Sequence, residues 1–308
     1  IVFGDWSSDV CSSDLGRFEG ALNPIPGYDA RNNGIGFPNR YVSYTGEKLE
    51  ATFGSFYEQF GNGLIFRSYE DKTIDFDNAL DGIKILARPI HGVYLKAIYG
   101  KQRDFFGMDD NGKSSLSLGS GIVRGADAEI FLNELSENFA QWQTQISLGA
   151  GIISKFQKDN DPSFILPENV SAFSGRLGVA RGNNVFNSEY AYKINDPGAD
   201  NNYIYKNGQA FLINGTYSQS GFGLYVSAKR IDNMSFRSDR DASLNRLQIN
   251  FLPAGCKNHI YALPAIYPYS TQPNGEAGIQ AELSYKFKKG TLLGGEKEIG
   301  RASCRERV

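Results

Sequence analysis

Residues 107–114 read GMDDNGKS and satisfy the phosphate-loop pattern G-x-x-x-x-G-K-[ST] letter for letter. Such a loop works only where a buried strand runs into a helix, because the first amides of the helix face the phosphate. The stretch that follows, 115–125, is rich in Gly and Ser without helical periodicity, and Asp109 and Asp110 would repel a nucleotide's phosphates. The match is therefore read as a polar loop. His91 and His259 are the only histidines and neither has a partner at metal-ligand spacing, which leaves no zinc site and no histidine-based triad. The acidic runs at 159–161 and 196–200 lack the ordered spacing and Gly of a calcium loop and are read as solvated loops. Paired carboxylates such as Glu58 and Glu70 would act on a sugar only at a fixed separation that a sequence does not supply. The expectation is no catalytic residue, no cofactor, no metal and no enzyme.

The charges left over belong to a repeating frame. From about residue 50 to about 287, stretches near ten residues long alternate apolar with polar or small side chains, separated by Gly, Asn, Asp and Pro. The cleanest is 278–287, with Ile279, Ala281, Leu283, Tyr285 and Phe287 opposite Gly278, Gln280, Glu282, Ser284 and Lys286. A pleated strand sends these sets to opposite faces. Comparable strands are expected at 40–44, 49–57, 64–68, 82–87, 93–100, 142–152, 173–179, 186–194, 211–217, 222–228 and 246–251. Longer polar connections are expected at 104–117, 158–169, 195–208 and 232–243, alternating with short ones. Apolar-out, polar-in strands of this length suit a transmembrane barrel, since lipid leaves only helices or closed barrels as spanning structures. The fold expectation is all-β: an antiparallel up-and-down transmembrane β-barrel, a fragment of about 14 strands. A soluble β-sandwich or jelly roll alternates in the same way.

Composition has to be read without the two ends. Residues 5–15 (DWSSDVCSSDL) and 298–308 (EIGRASCRERV) look like translated sequencing adapters. Residues 11–15 are encodable as TGC TCT TCC GAT CT and 298–302 as GAG ATC GGA AGA GCG, strings that are reverse complements over most of their length. The domain expectation is thus a non-native tail at 1–15, a barrel fragment at 16–297 and a non-native tail at 298–308. Without the tails, 34 acids fall by five to 29 and 32 bases fall by three to 29, so the remainder is neutral. That balance gives no nucleic acid a basic patch to bind. Cys256 is then the only cysteine, which excludes a disulfide framework. The 17 Tyr and 21 Phe suit aromatic girdles, and a mean hydropathy of −0.37 with no long apolar run excludes a spanning helix.

Inward charges are the functional candidates: Lys84, Lys96, Glu129, Arg176, Glu189, Lys193, Lys229, Arg246, Glu282 and Lys286. Both signs occur, as a mixed ring tuning solute passage would require. Paired across strands, the same residues would only stiffen the wall.

The segments FGSFYEQFGNGLIFRSYED (53–71), DNALDG (77–82), YGKQR (99–103) and YPYSTQPNGE (267–276) resemble an uncharacterised, porin-like family of Bacteroidota-type outer-membrane β-barrels carrying a domain of unknown function. The resemblance spans most of the chain outside the tails and implies location, the outer membrane of a Gram-negative bacterium, and architecture rather than activity. Within those segments Glu58, Arg67, Glu70 and Arg103 are expected to form a charge cluster anchoring an inward-folded piece that narrows the pore. Gly61 and Gly63 would permit its bend. The expected partners are outer-membrane lipid, with small hydrophilic solutes for a passive channel. The alternative is a non-channel barrel anchoring envelope proteins of a secretion, motility or surface-assembly machinery. An outer-membrane hydrolase ranks third.

Overall fold

The computed structural model describes residues 2–3, 11–21, 34–71, 76–108, 114–242, 246–254, 271–287, 290 and 301–307. Its strands are β1 (Val2–Phe3), β2 (Cys11–Ala21), β3 (Gly34–Thr45), β4 (Leu49–Phe56), β5 (Glu58–Phe60), β6 (Phe66–Ser68), β7 (Glu70–Asp71), β8 (Phe76–Asp77) and β9 (Leu80–Ala87). They continue as β10 (Val93–Met108), β11 (Ser114–Phe131), β12 (Thr144–Phe156), β13 (Asn169–Arg181), β14 (Asn184–Lys193), β15 (Gly208–Gln219), β16 (Phe222–Asp232), β17 (Gly275–Lys286) and β18 (Arg301–Arg307). Two single-turn helices, Leu132–Leu135 and Glu137–Ala140, join β11 to β12.

One sheet of 14 strands holds all but β5–β8, in the order β1-β2-β3-β4-β9 and then consecutively to β18. Every neighbouring pair is antiparallel, and β1 and β18 end the order without pairing to each other. The sheet is the all-β up-and-down architecture that the alternation predicts. The tails 1–15 and 298–308 contribute β1, the first residues of β2, and β18.

Alternation sets the faces. In β12 the exposed positions Leu148 and Ile152 alternate with half-buried Ser147, Gly149 and Gly151, and β13 continues the pattern with Phe173 and Leu177 exposed against buried Ser174. Register pairing carries one outward row across six strands as Ile130, Leu148, Leu177, Ser188, Ile213 and Ala228, ending at Ile279 on β17. Aromatic rings flank that row, with Phe186, Tyr217, Phe222 and Tyr285 toward one end and Phe173, Tyr190, Tyr192 and Phe211 toward the other.

The first end carries the short connections 46–48, 88–92, 182–183 and 220–221 together with the longer helical one at 132–143. In the β13–β14 and β15–β16 hairpins Gly182 and Gly221 take φ of 55° and 82°, angles that side chains with a Cβ resist. The other end carries the long connections 57–79, 157–168, 194–207 and 233–274.

Two of the long connections fold back and build the apolar core. Phe60, Leu64, Ile65 and Phe66 from the first pack with Met234, Phe236 and Ile249 from the second, all essentially without solvent contact. Wall residues Ile98, Val123, Ile153 and Val170 complete the cluster. The inner backbone is itself paired: Arg67 N donates to Ile249 O at 2.9 Å, Phe251 N to Gly63 O at 2.9 Å and Ile249 N to Phe236 O at 2.8 Å. Gly61 and Gly63 turn this segment with φ of 53° and 90°.

Three sequence expectations are corrected. Residues 246–251 are not a sheet strand: only the bridge Arg237↔Gln248 forms, and Leu247 at φ 50° breaks the extended run. Their alternation is real but serves the inner core. Residues 64–68 supply only β6, paired with β5 away from the main sheet. Most of 104–117 is strand, since β10 reaches Met108 and β11 starts at Ser114.

Candidate functional site: the inner face of the sheet

One residue over from the outward apolar row runs its inward counterpart. Tyr94, Glu129, Gly149, Arg176, Glu189, Leu212 and Lys229 are successive register partners from β10 to β16. Lipid-type chemistry on one face and charge on the other thus differ by a single step along each strand.

The centre of the inward row is an ion-pair group. Arg176 holds Asp127 at 2.8 Å and Glu129 at 3.4 Å. Its guanidinium lies across Gly149, where an added Cβ would sit 2.5 Å from Nε, so the wall leaves room for it. Glu189, fully buried, accepts both the backbone N–H and the side-chain amide of Asn62, at 2.7 and 2.9 Å. That contact ties the tip of the inner segment to the wall. Beside it, Glu58 on β5 receives Lys96 at 2.9 Å and lies 3.7 Å from Lys84, which pins the segment's entry to β9 and β10.

A second group gathers toward the long-connection end. Arg103 binds Asp77 and, at 3.0 Å, Glu19; Arg17 binds Glu19, Glu70 and Asp77. Arg103 enters this network because β10 shifts register on both sides of it. The expected cluster of Glu58, Arg67, Glu70 and Arg103 is therefore divided. Glu70 and Arg103 share the Arg17–Asp77 network, Glu58 pairs with lysines, and Arg67 lies between the rings of Tyr69 and Phe251, 4.2 Å from each centroid.

The remaining candidates pair locally. Lys193 donates to Ser235 O and stands 4.0 Å from Asp196, which Lys155 meets at 2.8 Å. Lys229 joins Glu276 at 2.5 Å, and Arg246, off the sheet, joins Asp104 at 2.6 Å. Glu282 is half-buried on the inward side of β17, and Lys286, two pairs of residues further on the same face, is exposed at the short-connection end. Sequence reading missed Asp77, Asp104, Asp127 and Asp196, each the carboxylate partner of a residue it named. Asp127 alternates with Glu129, a signal lost because β11 was not expected as a strand.

Between the Asn62 tip and the wall lies a cavity of about 240 Å³, lined by Glu129, Phe131, Ser147, Arg176, Asn187 and Asn214 among others. At the long-connection rim, Phe164 and Tyr203 stack at 4.8 Å, Ile165 is 89% exposed, and Tyr205 donates to Ile165 O at 2.7 Å.

The motif at 107–114 connects two strands that pair with each other, Met108 opposite Ser114, so no helix follows it. Residues 109–113, His259 and Cys256 lie outside the described residues. His91 is exposed, with Nδ1 3.0 Å from Glu134 O. Among the described residues no group of three or more His, Cys, Asp or Glu is placed to hold a metal. No described helix is long and apolar enough to cross a membrane, which says nothing about strands.

A family model described as a family of unknown function, DUF6029, matches residues 14–302. No curated protein sequence matches. Among solved structures, a BenF-like porin from Pseudomonas fluorescens Pf-5 is 13% identical, with 99% of this chain and 84% of that one covered and a TM-score of 0.41. The outer membrane protein OpdK from Pseudomonas aeruginosa is 11% identical, with 99% and 85% covered and the same TM-score. At such values these similarities say nothing about cargo or mechanism.

Proposed function

The chain belongs to the DUF6029 family of unknown function, and on that premise we propose a porin-like conduit in the outer membrane of a Gram-negative, Bacteroidota-type cell that passes small hydrophilic solutes. The observation that carries this reading is the pair of adjacent register rows. The outer row is apolar across most of its length and edged by aromatics, while the inner row carries the charges Glu129, Arg176, Glu189 and Lys229. Outward apolar bands with aromatic girdles match the demands of lipid, and a polar interior matches those of hydrated cargo. The folded-in segments narrow the lumen, so conductance is expected to be small. Reconstitution of the full chain into planar bilayers and sugar-loaded vesicles tests this. Discrete small openings and solute efflux support the conduit; inserted protein without either overturns it.

One observation favours a second reading, an anchor for envelope proteins: the apolar rim of Ile165 with the rings of Phe164, Tyr203 and Tyr205. An anchor tolerates a filled lumen and needs an adhesive rim. Silent insertion with loss of partner assembly in an Ile165→Asp variant would select it.

We also propose that 1–15 and 298–308 are adapter-derived. Sequencing the source DNA through both junctions should find codons for neither; finding both in the genome refutes the proposal.

A further inference from the structure

The cavity beneath the Asn62 tip has a chemistry of its own. Its charged walls are Glu129 and Arg176, with Asp127 and Glu189 immediately behind. Carboxylates thus outnumber the guanidinium three to one. The guanidinium's terminal nitrogens are turned onto Asp127 and Glu129, and the nearby Lys96 is held by Glu58. Among the described residues that line the cavity no cation is left to receive an anionic solute. The carboxylates are in turn engaged, Asp127 and Glu129 by Arg176 and Glu189 by the two N–H groups of Asn62, so none is held out to a cation. The rest of the lining consists of groups that both donate and accept, the amides of Asn62, Asn187 and Asn214 and the hydroxyl of Ser147, with the Phe131 ring at one side; Asn62 already donates to Glu189, and Asn214 Oδ1 accepts from Tyr225 at 3.1 Å. Three buried polar atoms at this place have no hydrogen-bond partner, Arg176 Nε, Glu189 Oε1 and Asp127 Oδ1, the last at ion-pair distance from Arg176, and buried polar groups are ordinarily satisfied. At about 240 Å³ the space is below the ~300–1,000 Å³ of drug-sized sites and takes a molecule of about a dozen heavy atoms.

We propose that this cavity is a binding subsite for a neutral polyhydroxylated solute of monosaccharide size. Hydroxyl groups satisfy donors and acceptors together without adding charge, and a sugar's apolar face suits a neighbouring aromatic ring. The inference rests on the conduit reading, and it names the cargo class that the lumen would hold on the way through.

The test measures binding apart from conduction. Full-length protein folded in detergent is titrated calorimetrically with glucose, gluconate and lysine. Glucose should give saturable binding, with gluconate and lysine at least tenfold weaker. The Asn187→Ala/Asn214→Ala double variant should weaken glucose by about tenfold, about threefold for each of the two ligand hydrogen bonds lost. Heat-shifted mobility of the variant on gels confirms that it is folded, and Glu129→Gln serves as a second variant if it is not. Preferred gluconate or lysine, or no glucose binding by folded protein, overturns the proposal. Conductance without sugar binding leaves the conduit standing and removes this inference. Sugar binding without conductance upholds the site and removes the conduit.

Discussion

Glu189 shows what a single buried carboxylate does in this molecule. It sits on the wall with no solvent contact, and one oxygen takes two N–H groups from Asn62 on the inner segment. Asn62 is itself exposed, so water can take over its N–H groups, and removing the carboxylate forfeits at most the about 1.5–3 kcal/mol of hydrogen bonding to a charged group. Glu189→Ala should therefore speed amide exchange across 58–68 while β12–β14 stay protected, and Glu189→Gln, which keeps an acceptor, should do so less. Equal exchange in both variants and the parent would show that the tether lies elsewhere. Asp159 plays the same part on the outer loop 157–168, in water. Its carboxylate accepts the backbone N–H of Leu166 at 2.9 Å and of Asp161 at 3.2 Å, and these bonds, Leu166's first, hold it below the usual aspartate value of 3.8. A depressed carboxylate stabilises the folded loop above its unfolded value and loses that contribution as pH falls through its folded one. Loop amides at Asp161 and Leu166 should thus keep their chemical shifts from neutrality down to about pH 4 and move only below it. Asp159→Asn should abolish the acid transition.

The elements divide into a wall that alternation made legible and an insert that it disguised. Strand 278–287 is readable because apolar and polar side chains alternate along its whole length, and β17 covers nearly all of it. Residues 246–251 alternate just as well, yet Leu247 and Ile249 point into the apolar core rather than outward. Periodicity reports that one face is buried, not what buries it. β11 escaped notice for the opposite reason, since its Gly- and Ser-rich first half carries little contrast. The ion pairs were half legible: types and faces showed Arg176 and Glu189, but Asp127 is 49 residues from Arg176 and only the register brings them together. The insert's independence from the wall can be measured. Phe60 is fully buried with its ring 5.1 Å from Phe66, and truncating it removes about 3–5 kcal/mol of packing. Because both rings belong to the insert, Phe60→Ala should raise single-channel conductance and proteolysis within 57–79 while strand content stays unchanged by circular dichroism. A collapse of strand content would mean that insert and wall fold as one unit.

At the scale of the whole molecule, the question is which solvent the outer face meets, and a matched pair of charges decides it. Leu148 and Ser147 are adjacent on β12; Leu148 is exposed on the outward row between the aromatic flanks, and Ser147 lines the inner cavity. In lipid, a lysine replacing Leu148 has no counter-ion or water within reach unless it snorkels, and costs about 2–4 kcal/mol near the midplane. A lysine replacing Ser147 enters a polar space beside Glu129 and is tolerated. If the outer face met water instead, the order would reverse: a charge replacing an exposed leucine changes stability by less than about 0.5 kcal/mol, while one forced into the interior is costly. Leu148→Lys should accordingly lower the yield of folding into lipid vesicles and the urea midpoint of the inserted protein, with Ser147→Lys near the parent in both. A Leu148→Lys protein that is as stable as the parent and soluble without detergent would make the sheet a water-facing sandwich, and the lumen would then be an ordinary interior with an unusual number of paired charges.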